Sequence, residues 1–421
     1  MKRLSPLALL HPTAPPDSAV VLGDGCPPRL LPEVEGDEPF AELVILAPRG
    51  TEIATAAEEA VRRVSDTGIV VAWGGPIGRR RLCRLLTRQG FIAGPTVLAA
   101  PGRKTLVAPP RAARLAAAIL AGGVVLRRHR SPAPLEWVGG RPAGGFAIRA
   151  SPRSGALLLA CFDRGGRTTV NAKLSEGAAR EYALLTTLGP GARLAGAIVP
   201  ETRLVELQHA DALVQPSLRG EIAARALARR GGRAEAVLDP LTGWLAAWGN
   251  ATKRFCPLAE TGAYADLLDD VELLAPQLGT DYASTIRTRC ALLAETAVPT
   301  VAAHRDLTMW NVIIDGRMLG IIDWESATDD AFPLVDFDYA AVDALAAGRR
   351  YRDRVRAFSE SLTLGTIAAL RERLADALDV PRQVRELASH ACWLHHAANE
   401  QRHPVGPEQP FLEIAKLNAR G

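Results

Sequence analysis

Two carboxylates and one amide occur at a spacing that fits phosphoryl transfer. Asp306 and Asn311 are separated by four residues, and the strand-like runs of 312–314 and 319–322 flank a turn and lead into Asp323. Phosphoryl transfer needs a carboxylate that takes the proton of the attacking hydroxyl, together with oxygen ligands for Mg²⁺. A short loop can aim Asp306 and Asn311 into one cleft, and a hairpin can bring Asp323 to them. We therefore predict Asp306 as the base and Asn311 and Asp323 as metal ligands.

These residues belong to a longer motif. The segment His304–Asn311 reads HRDLTMWN and satisfies the pattern H-R-D-L-x-x-x-N. From Val301 to Tyr339 the sequence resembles the aminoglycoside phosphotransferase and choline kinase-like family, whose members carry H-x-D-x-x-x-x-N, a hairpin and I-D-W-E. Pro333 and Asp336 stand where that family has a proline and an aspartate that brace the catalytic loop. The resemblance extends over about residues 140–400.

The resemblance implies a two-lobed, protein kinase-like α+β fold and the use of ATP with Mg²⁺. It further implies a lysine on the third strand of the first lobe and a glutamate on the following helix, which correspond to Lys173 and Glu181. Lys173 would neutralise ATP phosphates, and Glu181 would fix its position. The remaining predicted cofactor contacts are Ser154 and Gly155 in a phosphate-covering loop, and Val214 and Gln215 in a connector that meets the adenine.

Arg305 departs from the family pattern, because small-molecule members usually have glycine there. We count Arg305 with Asp306 as a predicted catalytic residue. Its charge would lower the proton affinity of Asp306 or pair with an acidic neighbour. Protein kinases also carry this arginine, but no A-P-E segment follows Asp323. We therefore expect a small-molecule hydroxyl as the acceptor, in a sugar, an aminoglycoside or an amino alcohol, and favour a carbohydrate.

Length and pattern predict three regions in the 421 residues. We expect a small, degenerate Rossmann-like α/β domain with a linker at 1–135, a kinase-like N-lobe of antiparallel strands at 136–220, and a helical C-lobe at 221–421. Residues 110–135 are read as helix and linker, and a helix at 176–188 is expected to stop at Gly189–Pro190–Gly191. The strand order of the first region faintly resembles the C-terminal half of a class I methyltransferase, without a G-x-G turn before it.

Composition excludes several other classes. Only 5% of the residues are aromatic, which disfavours a nucleic-acid partner. No apolar stretch approaches the ~20 residues that a bilayer span requires, and no secretory signal is evident, so we expect a cytoplasmic protein without a membrane contact. The six cysteines are scattered without metal-ligand spacing. The sequence does not indicate which protein, if any, the chain binds.

Two alternative functions remain open from the sequence. The single glycine in the predicted phosphate loop, Ser151–Gly155, and the degenerate first domain fit a nucleotide-binding pseudokinase that recruits a partner through its N-terminal region. A methyltransferase at residues 1–110, fused to a kinase, is the other alternative. Phosphate transfer to a small molecule distinguishes the enzyme from the pseudokinase.

Overall fold

A computed structural model describes the chain in two compact units, Met1–Tyr182 with Glu201–Ser217, and Ala183–Pro200 with Leu218–Gly421. The described residues are 19–24, 26, 41–48, 52–99, 105–108, 122–128, 138, 145–151, 156–163, 167–207, 211–229, 233–404 and 408–419.

The first unit contains one sheet of eleven strands. Its strands are β1 (Ala19–Leu22), β2 (Ala41–Leu46), β3 (Val64–Gly74), β4 (Phe91–Ala99), β5 (Thr105–Ala108), β6 (Gly122–Arg128), β7 (Gly145–Ala150), β8 (Leu157–Phe162), β9 (Thr168–Leu174), β11 (Arg203–Val205) and β12 (Ala212–Pro216). They are ordered β1-β2-β3-β6-β4-β5-β7-β8-β9-β12-β11. Strands β1, β2 and β3 are parallel, and all later neighbours are antiparallel.

The sheet runs without interruption from the first predicted region into the second. Strand β5 pairs with β7 in antiparallel register, with Leu106 opposite Ile148. One face carries a single apolar cluster that includes Ile45, Val71 and Ile148, each fully buried. Two helices, α1 (Ile53–Arg63) and α2 (Pro76–Arg88), pack on the other face of the parallel strands. The domain boundary near residue 135 stays a prediction.

Residues 122–128 correct one secondary-structure expectation. Gly122–Arg128 forms the strand β6 and not the end of a helix. This strand is inserted antiparallel between β3 and β4, and Gly123 lies against the Trp73 ring, where a Cβ atom would come within 2.9 Å. The apolar run Val124–Leu126 is buried in the sheet, and that tertiary environment outweighs the helical pattern of the preceding residues. The likeness to a methyltransferase stays a prediction.

The second unit is mainly helical, as the sequence predicts for the C-lobe. Helix α3 (Ala178–Leu194) begins in the first unit and ends in the second. The other helices are α4 (Ala223–Ala228), α5 (Glu235–Thr252), α6 (Gly262–Leu278), α7 (Thr280–Leu293), α8 (Val335–Leu345), α9 (Arg354–Thr363), α10 (Gly365–Ala377), α11 (Arg382–Arg402) and α12 (Pro410–Asn418). Two small sheets complete it, β10 (Ala197–Ile198) with β17 (Met318–Ile321), β16 (Val312–Asp315) and β13 (Glu221–Ile222), and β14 (Arg254–Pro257) with β15 (Ala297–Ala303) and β18 (Thr328–Ala331). The kinase-like α+β fold class is confirmed.

Helix α3 continues through the predicted stop signal at Gly189–Pro190–Gly191. Two tryptophans of α5 hold its last turns. The Trp244 indole nitrogen donates to the Ala192 carbonyl oxygen at 3.2 Å, and a Cβ atom at Gly191 would lie 3.7 Å from the Trp248 ring. Because these contacts satisfy and cover the end of the helix, tertiary packing overrides the local breaker.

Among the described residues, no helix combines the length and the apolar character that a membrane crossing demands.

A buried histidine links three helices of the second unit. His390 on α11 is 8% exposed, and its Nδ1 atom lies 2.9 Å from the hydroxyl of Tyr282 on α7. Arg289, also on α7, lies 3.3 Å from Nε2, and the Asn418 amide of α12 is 2.9 Å from Nδ1. Burial, and then the charge of Arg289, lower the pKa of His390 to about 4. This side chain is therefore neutral in the folded protein at physiological pH.

We predict that His390 lowers the free energy of unfolding as the pH falls from about 6.5 to about 4. The unfolded chain binds a proton on this side chain near pH 6.5, whereas the folded chain resists it until about pH 4. The free energy of unfolding would be measured by urea titration at several pH values. In His390→Gln, its decrease between pH 6.5 and pH 4 should be smaller than in the native protein by up to about 2–3 kcal/mol. His403→Gln, at the exposed end of α11, is the control. An unchanged pH dependence in His390→Gln would contradict the assignment.

Candidate active site

The predicted catalytic loop lies between two strands of the second unit. Strand β15 leads into His304, and the chain enters the hairpin β16–β17 directly after Asn311. The hairpin matches the expectation from the sequence, with Gly316 at the turn at a φ of 62°. The His304 imidazole is fully buried, and its Nε2 donates to the Ile322 carbonyl oxygen at 3.0 Å. This bond ties the start of the loop to the end of the hairpin.

Asp336 braces the start of the loop. One carboxylate oxygen accepts from the backbone N–H of His304 at 2.7 Å, and the other accepts from that of Arg305 at 2.8 Å. Asp336 lies in the first turn of α8 and is 5% exposed. Two hydrogen bonds to one buried carboxylate fix two consecutive peptide groups, so the loop has one conformation at its entry.

A second carboxylate of α8 holds the same loop further along. The Asp343 carboxylate accepts from the Met309 N–H at 2.8 Å and pairs with Arg354 at 2.5 Å. The Arg354 guanidinium lies over the Tyr351 ring, 4.8 Å from its centroid. Asp336 and Asp343 are seven residues apart, which is two helical turns, so both lie on one face of α8. Asp343 was not among the residues predicted from the sequence, although its spacing from Asp336 was a usable signal.

Asp306, which is half-buried, follows the two residues whose backbone Asp336 holds. The Asn311 amide nitrogen donates to the Asp306 carbonyl oxygen at 2.9 Å and lies 3.3 Å from its carboxylate. Burial, and then the neighbouring charges of Asp323, Asp343 and Glu325, raise the pKa of Asp306 to about 7. A carboxyl group with a pKa near 7 can gain or lose a proton at neutral pH.

Asp323 follows the hairpin in a strained backbone conformation. Its φ of 65° lies in the left-handed region, which costs a residue with a Cβ atom ~1–2 kcal/mol. The buried Trp324 side chain fixes the next position, because its indole donates to the Ile321 carbonyl oxygen at 3.1 Å and packs edge-on against Trp248. Asp323 and Glu325 both lie close enough to Asp306 to raise its pKa. Glu325 had no predicted role.

Arg305, predicted as catalytic with Asp306, contacts two helices of the second unit. Its φ is 60°, and its guanidinium pairs with Asp266 of α6 at 2.6 Å and contacts His395 of α11 at 3.0 Å. The alternative of pairing with an acidic neighbour is therefore right. The catalytic role of Arg305 and its effect on the proton affinity of Asp306 stay predictions. Its guanidinium joins the loop to two helices.

Lys173 and Glu181 form an ion pair within the first unit. The Lys173 Nζ on β9 lies 3.0 Å from the Glu181 carboxylate in the first turn of α3. The Glu181 side chain is 2% exposed and that of Lys173 is 15% exposed, so this is not a solvated surface pair. Lys173 and Glu181 are eight residues apart in sequence. They can meet because the chain turns between the end of β9 at Leu174 and the start of α3 at Ala178.

The predicted adenine contacts lie inside a strand and not in a connector. Val214 and Gln215 belong to β12, which pairs with β9. Val214 lies opposite Ala172 and its side chain enters the apolar cluster on that face, whereas Leu213 lies opposite Lys173 and shares its face. Of the two, only Gln215 is on the Lys173 face, and its amide donates to the Thr202 hydroxyl at 3.1 Å. Ser154 and Gly155 lie outside the described residues.

A kinase-like α+β fold that holds a half-buried aspartate, an asparagine and a second aspartate around one loop defines a phosphotransferase of the kinase type. The model of the phosphotransferase enzyme family matches residues 167–387, more than half of the sequence. The chain belongs to this family.

Several solved structures are similar to this chain. One is a candidate aminoglycoside phosphotransferase from Ralstonia eutropha JMP134, with 12% identity, 66% of this chain and 91% of that chain covered, and a TM-score of 0.42. A choline/ethanolamine kinase family protein from Mesorhizobium loti has 17% identity and a TM-score of 0.39, and the match covers 65% of this chain and 86% of that chain. Aminoglycoside phosphotransferase APH(3'')-Id from Streptomyces rimosus ATCC10970 has 16% identity and a TM-score of 0.35, and the match covers 59% of this chain and 92% of that chain. No curated protein matches the sequence.

We predict that Asp343→Asn strongly destabilises the second unit. The substitution leaves the Arg354 charge without its counter-charge in a site where the two side chains are 17% and 4% exposed. Removing one partner of a buried ion pair costs about 3–5 kcal/mol. The matched control is Asp239→Asn, which breaks the pair with Arg373 at side-chain exposures of 60% and 52%, and should cost at most about 1 kcal/mol. Equal losses in urea unfolding would contradict the prediction.

Proposed function

We propose that the chain catalyses ATP- and Mg²⁺-dependent phosphorylation of a hydroxyl group on a small molecule. The observation that carries the proposal is the half-buried Asp306, whose pKa is raised to about 7 and whose position is fixed by Asn311 and by the carboxylates of α8. An acceptor hydroxyl must give up its proton while its oxygen attacks the phosphorus. A carboxylate with a pKa near neutrality is well suited to receive it.

Asp306 orients the acceptor oxygen and takes its proton in this proposal. The bond from the acceptor oxygen to the γ-phosphorus forms as the bond from that phosphorus to the β-γ bridging oxygen breaks, and ADP leaves. The brace from Asp336 and Asp343 keeps the loop in place, so little reorganisation is needed during the reaction. The backbone strain at Arg305 and Asp323 is the local cost of that arrangement.

Asn311 and Asp323 are the proposed Mg²⁺ ligands. Both offer oxygen atoms, which hard divalent cations prefer. The donor set fits, because Asp323 and Glu325 surround Asp306 with negative charge that raises its pKa, and a cation would reduce this repulsion. Bound Mg²⁺ would supply charge neutralisation for the ATP phosphates.

Lys173 and Glu181 are the proposed phosphate contacts of the first unit. The ammonium group supplies a positive charge for ATP phosphates, and the buried Glu181 restricts it to one position. Within the nucleotide site proposed from sequence, Gln215 remains the candidate on the Lys173 face of the sheet. The cytoplasm is the proposed location, and a carbohydrate is the favoured acceptor.

We predict that Asp306→Asn lowers phosphate transfer by about 10²–10⁴-fold, because the amide cannot accept the proton. Purified protein would be incubated with [γ-³²P]ATP, Mg²⁺ and a panel of sugars, aminoglycosides and amino alcohols, and labelled product would be counted. Asp315→Asn, in the hairpin turn, is the control and should keep full activity. Transfer by Asp306→Asn at the native rate would refute the assignment. ATP binding without transfer in the native chain would favour the nucleotide-binding scaffold.

We also predict an acid limb in kcat/KM. Asp306 is a base only when ionised, so activity should fall tenfold per pH unit below the pKa of the free enzyme, about 7. Higher Mg²⁺ concentration should move this limb to lower pH, because a nearby cation favours the charged carboxylate. Initial rates between pH 5 and 9 at two Mg²⁺ concentrations test this. A limb that does not respond to Mg²⁺ would contradict a metal site beside Asp306.

A further inference from the structure

Trp310 is an exposed tryptophan in the middle of the catalytic loop. It is 54% exposed, whereas the other tryptophans that the structure describes are at most 4% exposed. Large aromatic side chains gain most from burial, so one left in solvent at a site of chemistry is informative. Neither the proposed base nor the proposed metal ligands give Trp310 a role.

The loop geometry accounts for the exposure. The Asn311 N–H donates to the Thr308 carbonyl oxygen at 2.9 Å, which makes Met309 and Trp310 the central residues of a turn. Met309 is fully buried and Trp310 is turned to solvent. The Thr308 N–H donates to the Asp306 carbonyl oxygen at 2.8 Å, so the turn is built directly on the residue that carries the proposed base.

A positively charged side chain, that of Arg225, lies over the Trp310 ring. The Arg225 guanidinium of α4 lies 5.9 Å from the ring centroid, and the N–H of the preceding residue, Ala224, donates to the Met309 carbonyl oxygen at 2.8 Å. Within the part of the chain that the structure describes, no hydrogen bond or ion pair engages the Arg225 side chain. Its donors are therefore available to a ligand that contacts the ring.

We propose that Trp310 and Arg225 form the platform for the phosphate acceptor, and that this acceptor is a neutral or anionic pyranose. The inference rests on the proposed function, because Asp306 marks where the acceptor hydroxyl must lie. The C–H groups on one face of a pyranose form an apolar patch that leaves water when it stacks on an indole. Hydroxyl or carboxylate oxygens at the edge of the same ring accept from the Arg225 guanidinium.

The charge of the platform selects against polycationic acceptors. Ammonium groups placed on the Trp310 ring would face the Arg225 guanidinium, and like charges in contact oppose binding. Aminoglycosides and amino alcohols are therefore poorer ligands of this platform than uncharged or acidic sugars. The platform thus narrows the three acceptor classes that the catalytic residues alone leave open.

Binding of methyl pyranosides to the full chain tests the platform without any need for turnover. Isothermal titration calorimetry would use methyl glycosides of neutral hexoses, a methyl hexuronide and an aminoglycoside. Trp310→Ala should weaken pyranoside binding about tenfold, since ~1.4 kcal/mol is tenfold in affinity. Trp310→Phe should retain affinity within about threefold of the native protein, and Arg225→Gln should weaken the hexuronide more than the neutral sugars.

Phe255 provides the matched control. It is 55% exposed, and the Lys253 ammonium lies 5.7 Å from its ring centroid, so it repeats the exposure and the cation contact away from the catalytic loop. Phe255→Ala should leave pyranoside affinity unchanged. Failure of every pyranoside to bind, equal weakening by Phe255→Ala, or tighter binding of the aminoglycoside than of the sugars would overturn the proposal.

ATP affinity separates the acceptor from the nucleotide. Trp310→Ala should leave the Kd of ATP unchanged and, where turnover is measured, should raise KM for the sugar about tenfold with a smaller change in kcat. Weakened ATP binding with unchanged sugar binding would assign the ring to the nucleotide and overturn the proposal. Pyranoside binding that depends on Trp310 without any phosphate transfer would support the platform while the proposed function fails.

Discussion

The catalytic loop depends on two carboxylates of one helix that accept from its backbone. Asp336 fixes the peptide groups of His304 and Arg305, and Asp343 fixes that of Met309. Both carboxylates are buried, where a charge-assisted hydrogen bond is stronger and an unmade one is more costly. The loop backbone is therefore held from the protein core, which leaves the Asp306 side chain and the Trp310 ring for contacts with other molecules.

The same arrangement concentrates negative charge. The charges of Asp323, Asp343 and Glu325 raise the pKa of Asp306, and Asp343 also pairs with the Arg354 guanidinium. Such a cluster opposes folding unless a cation or a proton relieves it. In the proposed function the cation is Mg²⁺ and the proton comes from the acceptor, so the repulsion is useful to the chemistry. The Arg305 guanidinium contacts Asp266 and His395.

Local spacing made much of this predictable. The hairpin after Asn311 and the strand that ends near Lys173 follow from apolar runs and turn residues, and the structure has them at the expected positions. Contacts between residues that are far apart in the sequence could not be predicted from local patterns. Helix α3 passes Gly189–Pro190–Gly191 because tryptophans from α5 complete it, and the Met309–Asp343 bond joins residues far apart in sequence. Val214 and Gln215 were expected in a connector, whereas they lie in β12, where the alternation of the strand turns the Val214 side chain away from Lys173.

The pairing of β5 with β7 has a consequence for any shortened form of the protein. A chain that starts near residue 136 would present β7 as an edge strand, with unpaired N–H and C=O groups along one side. It would also bare the apolar face that includes Ile148. Such edges recruit further strands and promote self-association. Pairing with β5 therefore satisfies the edge of β7, and we expect its loss to promote association between shortened chains.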